Sequence, residues 1–162
     1  MIALGIDPGT RRVGYGVVSC AARGGAAEFV DAGILAIAAT NDADAFEEIR
    51  AGIDKLIERH RPDVVAVEKL FFAKNTKTAI AVAQARGVIL LAIKARGVCI
   101  REYTPNEVKL GVAGYGAADK KAVLKMVRLI LRTPDLTVID DASDALALAI
   151  LSTGDRLLDT AR

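Results

Sequence analysis

Four carboxylates of this chain stand where their side chains could surround one divalent cation: Asp7, Glu68, Asp141 and Asp144. Asp7 follows the apolar run 2–6, and Glu68 follows the apolar run 64–67. Each run is typical of a buried strand, and a carboxylate at the end of such a strand is costly unless it is paired or binds a metal. The other two acids stand in an apolar helix predicted over residues 140–153. Together the four predict a cage for Mg²⁺ or Mn²⁺, which implies phosphoryl-transfer chemistry.

The two acids at strand ends also have plainer structural interpretations. Asp7 precedes Pro8, so its side chain could serve a turn by bonding to the nearby backbone. Glu68 could form a surface ion pair with its neighbour Lys69. The local pattern leaves both alternatives open.

The acids of the late helix raise a second ambiguity. Asp141 and Asp144 are three residues apart, which puts them on one helix face, but acids are also favoured in any first helical turn. Asp140 is four residues before Asp144 and shares its face equally well, or could be the N-cap. Spacing alone does not separate Asp140 from Asp141.

A basic and aromatic segment follows Glu68. It contains Lys69, Phe71, Phe72 and Lys74. Two adjacent phenylalanines in a basic loop suit stacking on nucleic-acid bases or wedging between them. At least one of the two rings is expected in the core, and the sequence does not tell which.

A second basic cluster consists of Lys109, Lys120 and Lys121, which flank a glycine-rich loop predicted over residues 111–116. Such a loop lets backbone and lysines approach phosphate groups closely. Most single lysines are ordinary solvated charges. The net charge of +2 neither requires nor excludes a nucleic-acid partner, so this prediction depends on local clustering.

Other kinds of chemistry have weaker support. The single histidine, His60, falls in the last turn of a predicted helix, where a partner of the helix dipole is expected rather than a catalytic base. The two cysteines, Cys20 and Cys99, lack zinc-ligand spacing and are too few for a disulfide framework. No Ser–His or Cys–His set stands out, so the chemistry would use water activated by a metal ion.

Length and composition suit one compact domain over residues 1–162, with just over half of the residues apolar. The longest strongly apolar run, 88–93, is closed by Lys94 and is too short to span a bilayer. Because the first residues reach Asp7 too soon for a secretory signal, we expect a cytoplasmic protein.

The elements that must position these residues follow from apolar periodicity. Strands are predicted over 2–6, 13–19, 29–37, 63–67 and 98–103, the first three as an antiparallel meander. Helices are predicted over 41–60, 76–96, 118–132 and 140–153, with a short one after Pro105. The order βββαβαβαα predicts an α/β fold with a mixed sheet flanked by helices. The small residues of the helix over 76–96, with Gly87, suit either self-association or packing within the chain.

Taken in order, these segments resemble the RuvC-type Holliday-junction resolvases, which have a ribonuclease H-like fold with a five-stranded sheet. The similarity runs over nearly the whole chain. The opening motif alone is unspecific, but the ordered combination is highly specific. The matching segments are Gly5-Ile6-Asp7-Pro8-Gly9-Thr10, Gly14-Tyr15-Gly16, Glu68 with Phe71 and Ala73-Lys74-Asn75, Gln84-Ala85-Arg86-Gly87-Val88, Val108-Lys109, Gly114-Tyr115-Gly116, Asp119-Lys120, and Asp141-Ala142-Ser143-Asp144-Ala145-Leu146-Ala147.

The resemblance implies a homodimer that resolves four-way DNA junctions by paired, symmetric nicks in recombination and repair. It implies a partner, the RuvA–RuvB branch-migration assembly. The implied catalytic and metal-binding acids are Asp7, Glu68, Asp141 and Asp144, with Asp141 preferred to Asp140 because the family pattern falls there. Two Mg²⁺ ions per site are expected, for which Mn²⁺ may substitute.

The resemblance also assigns contacts with DNA. Phe71 matches an aromatic residue that contacts bases near the crossover, and Lys74 belongs to the same matching segment. Lys109 and Lys120 match basic residues near the cleaved phosphate, and Lys121 adds a charge beside them. The helix that carries Gln84-Ala85-Arg86-Gly87 resembles the family's dimer-forming helix.

Three rival interpretations rank below this one. An actin-like ATPase or sugar kinase shares the loop after Asp7, but it needs a second such loop and a longer chain. A junction-binding module without activity would not need the intact acidic set. The YqgF-type nucleases share the opening motif but lack the segments around Phe71 and Lys120.

Overall fold

The computed structural model describes residues 1–21, 25–70 and 76–154. Its strands are β1 (Ile2–Asp7), β2 (Arg12–Cys20), β3 (Ala27–Ala36), β4 (Val64–Glu68) and β5 (Cys99–Tyr103). Its helices are α1 (Asp42–His60), α2 (Thr76–Ala95), α3 (Pro105–Ala113), α4 (Lys120–Ile130) and α5 (Asp140–Gly154). The predicted elements are therefore present, and the short helix after Pro105 makes three helices after β5.

The five strands form one mixed sheet in the order β3-β2-β1-β4-β5. The first three strands pair antiparallel, as predicted for a meander. The last two run parallel to β1, so β4 and β5 end at the same edge as β1 does. This edge collects the carboxyl ends of three strands, where Asp7 and Glu68 lie.

Side chains along each strand point alternately to the two faces of the sheet, which divides the core into two layers. Leu4 and Ile6 of β1 pack with α1 and α2, whereas Ala3 packs with α3, α4 and α5. Successive side chains of a strand point to opposite faces, so Asp7 shares the face of Ala3. In β4, Ala66 packs with the α5 layer, and Glu68 shares its face. Both acids therefore project toward α5.

Helix α5 lies directly on the backbone of β1 and β2 because three facing strand positions are glycine. A Cβ on Gly5 would lie 1.8 Å from the Ala145 carbonyl oxygen, and one on Gly14 would lie 2.2 Å from that of Asp141. A Cβ on Gly16 would meet the Leu146 nitrogen at 2.6 Å. No side chain fits between these strand positions and α5, so the three glycines determine how closely α5 packs on the sheet.

One predicted loop is wrong in part. Gly111 lies inside α3 rather than in a loop over 111–116, because its bare face accommodates Leu151 of α5. The helix ends at Gly114, which takes the left-handed conformation with φ of 84°. The loop with glycines therefore begins only there, and Lys109 belongs to a helix.

Helix α4 is also shorter than the predicted range 118–132. Asp119 takes the N-cap position, where its side chain accepts a hydrogen bond from the Ala122 amide, so the helix begins at Lys120. The helix ends at Ile130, with Leu131 as the C-cap. The boundary matters because it puts Lys120 in the first turn, beside α5.

Several expectations concern residues outside the described part of the chain, namely those for Phe71, Phe72 and Lys74. In the described part, no helix has the length and apolarity that crossing a bilayer requires. Cys20 and Cys99 form no disulfide with each other.

Candidate active site

Asp7 and Glu68 are neighbours at the edge where β1 and β4 end. The parallel register pairs Gly5 with Ala66 and Ile6 with Val67, so the next pair in line is Asp7 beside Glu68. Their carboxyl groups lie close enough for Asp7 to lower the pKa of Glu68 through hydrogen bonding. This places both predicted strand-end acids at one point, on the face covered by α5.

Asp141 reaches the same point through the close approach of α5. Gly14 of β2 pairs with Asp7 of β1. Because Gly14 has no side chain, the Asp141 backbone packs directly against it. The charges of Asp141 and Asp144 both raise the pKa of Asp7, which shows that they lie within electrostatic reach. Asp140 lies in the same turn and is exposed, whereas Asp141 is partly buried.

Burial and negative charge strongly perturb Asp7. Removal from water, together with the charges of Glu68, Asp144 and Asp141, raises its pKa from 3.8 to about 8. The nearby ammonium of Lys120 opposes it. Burial also raises the pKa of Glu68, with a further contribution from Asp144, while the hydrogen bond with Asp7 lowers it. Burial is thus the largest cause of both shifts, and neighbouring acids add to it.

Two basic side chains bind the α5 acids directly. The Lys120 Nζ lies 2.9 Å from Asp144 Oδ2, and this bond raises the pKa of Lys120. The guanidinium of Arg12, at the start of β2, lies 3.2 Å from Asp141 Oδ2. Arg12 is not among the residues that the sequence predicted for the site. Its place two residues before Gly14, on a strand that pairs with β1, is the signal that could have found it.

The remaining lysines lie around the same acids. Lys109 and Lys120 line a cavity of about 210 Å³ together with Glu68 and Asp144, and Val108 and Leu148 are among its apolar walls. The Lys109 charge lowers the pKa of Glu68. A neighbouring cavity of about 210 Å³ is lined by Lys120, Lys121, Asp140 and Asp144 among others. All three lysines of the second basic cluster therefore line cavities beside the acids.

The donor set fits a hard divalent cation. Carboxylate oxygens are the ligands that Mg²⁺ and Mn²⁺ prefer, and a cation would relieve the repulsion that raises the pKa of Asp7. In the described residues no three acidic, histidine or cysteine side chains converge at ligand distance. Two of the four acids instead bind Arg12 and Lys120. Binding an ion through all four acids therefore requires these two ion pairs to rearrange.

His60 lies away from the acids, as expected for a residue without a catalytic role. It ends α1 and its Nε2 is 3.2 Å from Asp31 Oδ2 on the edge strand β3, with only 9% of its side chain exposed. Asp31 pairs with Val17, which packs in the α1 and α2 layer, so this pair lies on the opposite face of the sheet.

Comparison with known proteins identifies the family. The family model for crossover junction endodeoxyribonuclease RuvC matches residues 3–152. Curated proteins of that name are similar: that of Moorella thermoacetica is 49% identical over 150 residues, covering 93% of this chain and 89% of the relative. That of Chloroflexus aggregans is 48% identical over 151 residues, covering 93% and 91%.

Solved structures agree with the expected ribonuclease H-like α/β fold. Thermus thermophilus RuvC superposes with a TM-score of 0.84 at 34% identity, covering 93% of this chain and 92% of that one, and the same figures hold for its complex with a Holliday junction substrate. The yeast mitochondrial Holliday junction resolvase Ydc2 has a TM-score of 0.67 at 13% identity, covering 93% and 78%, a likeness of fold alone. With a family model that matches nearly the whole chain and relatives close to half identical, this chain belongs to the RuvC family of crossover junction endodeoxyribonucleases.

Proposed function

We propose that this endonuclease resolves four-way (Holliday) DNA junctions by paired, symmetric, metal-dependent phosphodiester hydrolysis in homologous recombination and DNA repair. Its relatives bear the name crossover junction endodeoxyribonuclease, and one solved relative holds a Holliday junction substrate. The observation that carries the proposal is the group of acids around Asp7: burial, with the charges of these acids, raises the pKa of Asp7 to about 8. Charge of this kind, at the edge of a sheet and beside lysines, suits a cation bound to a phosphodiester.

The proposed metal-binding and catalytic acids are Asp7, Glu68, Asp141 and Asp144, and we infer two Mg²⁺ ions, with Mn²⁺ as a substitute. Bound Mg²⁺ supplies charge stabilisation at the phosphodiester and a water nucleophile at neutral pH. Asp7 occupies the centre of the set because each of the other three acids acts on its pKa. Its tendency to retain a proton means that it must release that proton when an ion binds.

The proposed DNA-binding residues divide by position. Lys109, Lys120 and Lys121 line the cavities beside the acids, so we assign them to the phosphates next to the cleaved bond. Lys120 would exchange its bond with Asp144 for a phosphate as the ion binds. Phe71 and Lys74 remain proposals from the resemblance, for contact with bases and backbone near the crossover.

A homodimer supplies the second nick. Helix α2 presents an exposed stripe at helical spacing, formed by Ile80, Gln84, Gly87 and Leu91. Ile80 and Leu91 are large apolar residues facing solvent, and a Cβ on Gly87 would meet nothing within 4 Å. A two-fold interface uses one such patch twice, and it would present two active sites symmetrically to a junction. We also propose the RuvA–RuvB assembly as a partner, and one domain that acts in the cytoplasm, where the DNA substrate lies.

The test uses a synthetic four-way junction with and without Mg²⁺, with both cut strands mapped. Wild type is expected to cut two opposing strands symmetrically and only with the metal. Asp7→Asn should retain junction binding in a gel shift and lose cutting by about 10²-fold or more, because it removes the central acid. Asp140→Asn is the matched control and should cut normally, since Asp140 is an exposed acid outside the proposed metal-binding set. Normal cutting by Asp7→Asn would remove this residue from the active site.

A further inference from the structure

Arg86 connects helix α2 to the strand end that carries Glu68. Its Nε donates a hydrogen bond of 2.8 Å to the backbone carbonyl oxygen of Glu68. Its terminal nitrogen binds the carboxylate of Glu102 on the neighbouring strand β5. Only 17% of the Arg86 side chain is exposed, and adjacent Ala85 is fully buried. The guanidinium is therefore a half-buried bridge between α2 and the ends of β4 and β5.

The two hydrogen bonds at this strand end fix one peptide plane from both sides. The carbonyl of Glu68 accepts from Arg86, and the amide of the same peptide unit, on Lys69, donates to the Tyr103 carbonyl at 2.7 Å. A peptide unit is planar, so holding both polar groups fixes the rotation of the chain about Glu68. That rotation is adjacent to the bond from which the Glu68 side chain projects toward Asp7.

We propose that Arg86 is a positioning residue for Glu68: it fixes the peptide after Glu68 and so orients the carboxylate toward Asp7 for metal binding. This inference rests on the proposed function, because it assumes that Glu68 is a metal ligand. Arg86 acts through the backbone of Glu68, because its guanidinium binds that carbonyl and the carboxylate of Glu102. When a residue that orients a metal ligand through a hydrogen bond is removed, metal affinity or activity typically falls about 10–100-fold.

The geometry of arginine suits this task. A planar guanidinium donates in two directions from one rigid group, whereas the ammonium of lysine is a single point charge. Bonds from a charged donor are also stronger than neutral ones. Arg86→Lys should therefore keep one bond at most and retain part of the effect, and Arg86→Ala should lose both.

Arg96 provides a matched control. It follows the last residue of α2 and binds Asp54 at 2.7 Å and Glu58 at 2.8 Å, both on α1. Arg96→Ala thus removes an arginine with two carboxylate partners next to the same helix without touching β4. Any general loss of stability from removing such an ion pair should occur in both alanine variants.

The experiment measures three quantities for wild type and for the Arg86→Ala, Arg86→Lys and Arg96→Ala variants. They are the hydrogen exchange rate of the Lys69 amide in metal-free protein, the affinity for Mn²⁺ alone, and kcat and KM for junction cleavage. For Arg86→Ala we expect faster Lys69 exchange and about 10-fold or greater losses of Mn²⁺ affinity and kcat, with KM within about two-fold. Arg86→Lys should lie between it and wild type. Arg96→Ala should match wild type in all three.

Unchanged Lys69 exchange or unchanged Mn²⁺ affinity in Arg86→Ala, relative to Arg96→Ala, would overturn the proposal. If Arg86→Ala does not fold, Arg86→Lys decides by the same two readouts, and a wild-type result in either of them overturns it. The failure of the proposed function looks different, since wild type would then cut no junction. The exchange of the Lys69 amide needs neither metal nor DNA, so it still reports whether Arg86 fixes this peptide.

Discussion

At the scale of single residues, Asp7 is a carboxyl group whose ionisation the fold strongly perturbs. Its carboxyl group lies at the end of a buried strand with three further acids acting on it, and its pKa rises to about 8. At neutral pH the metal-free protein therefore holds a proton that the unfolded chain would release. Metal binding and proton release are then linked at this residue, as expected for ligands that bind cations as carboxylates.

This linkage predicts the pH dependence of stability without metal. Between about pH 4 and pH 8 the folded protein binds the Asp7 proton more tightly than the unfolded chain does, so the free energy of unfolding should fall as the pH rises through this window. Asp7→Asn removes this group and should flatten the profile. Relative to wild type, the variant should gain about 1–3 kcal/mol between pH 5 and pH 8, measured by urea unfolding in chelator.

The same measurement has an internal control. Glu68 also has a raised pKa, so a smaller slope of the same sign should remain in the variant. Asp140→Asn changes an exposed acid of α5 outside the proposed metal-binding set, and it should keep the wild-type slope. Parallel wild-type and Asp7→Asn profiles would show that Asp7 ionises normally in the folded protein.

The sequence predicted which acids meet better than it predicted what they bind. Asp7 and Glu68 were recognisable because each follows an apolar run, and a buried carboxylate is costly unless it is paired or binds a metal. Asp141 could be chosen over Asp140 only by family resemblance, since their separation depends on how deeply α5 lies. The ion pair between Arg12 and Asp141 joins residues far apart in the chain, so it depends on how α5 packs on β2.

At the scale of elements, the site depends on the contact between α5 and the bare faces of β1 and β2. Gly5, Gly14 and Gly16 allow backbone atoms to approach closer than any side chain permits. Helix boundaries elsewhere follow local capping, as at Asp119. The misplaced loop at Gly111 has a tertiary cause, because a glycine that accommodates Leu151 looks the same in sequence as a glycine in a turn.

Gly14→Ala tests this contact. The added Cβ would lie 2.2 Å from the Asp141 carbonyl oxygen, so the first turn of α5 must move away from β2. We expect a loss of about 1–3 kcal/mol in the free energy of unfolding, as for other overpacked sites. Mn²⁺ affinity should also fall, because Asp141 moves with the helix. Gly116→Ala is the control for stability, since a Cβ there meets nothing within 4 Å.

At the scale of the whole molecule, the strand order brings the acids of the site together, and the exposed stripe of α2 is the proposed interface of a two-fold dimer. The order β3-β2-β1-β4-β5 puts β1 beside β4, so acids 61 residues apart in sequence become neighbours. The sequence predicted the strands but left the role of α2 open between self-association and packing within the chain. The structure shows packing within the chain through Ile89 and Ile93, which are buried, and leaves Ile80 and Leu91 facing solvent, where the proposed dimer would use them.

Leu91→Glu tests the proposed dimer. Leu91 and Leu129 are equally exposed, at 68% each, but Leu91 lies on α2 and Leu129 on α4. A charge at a two-fold interface is brought close to its own copy, so Leu91→Glu should shift sedimentation toward monomer while the fold is kept. The variant should also separate the two cuts in time, giving nicked junctions in place of paired nicks. Leu129→Glu should remain dimeric and cut in pairs, and a dimeric Leu91→Glu that still cuts in pairs would place the symmetric interface on another surface.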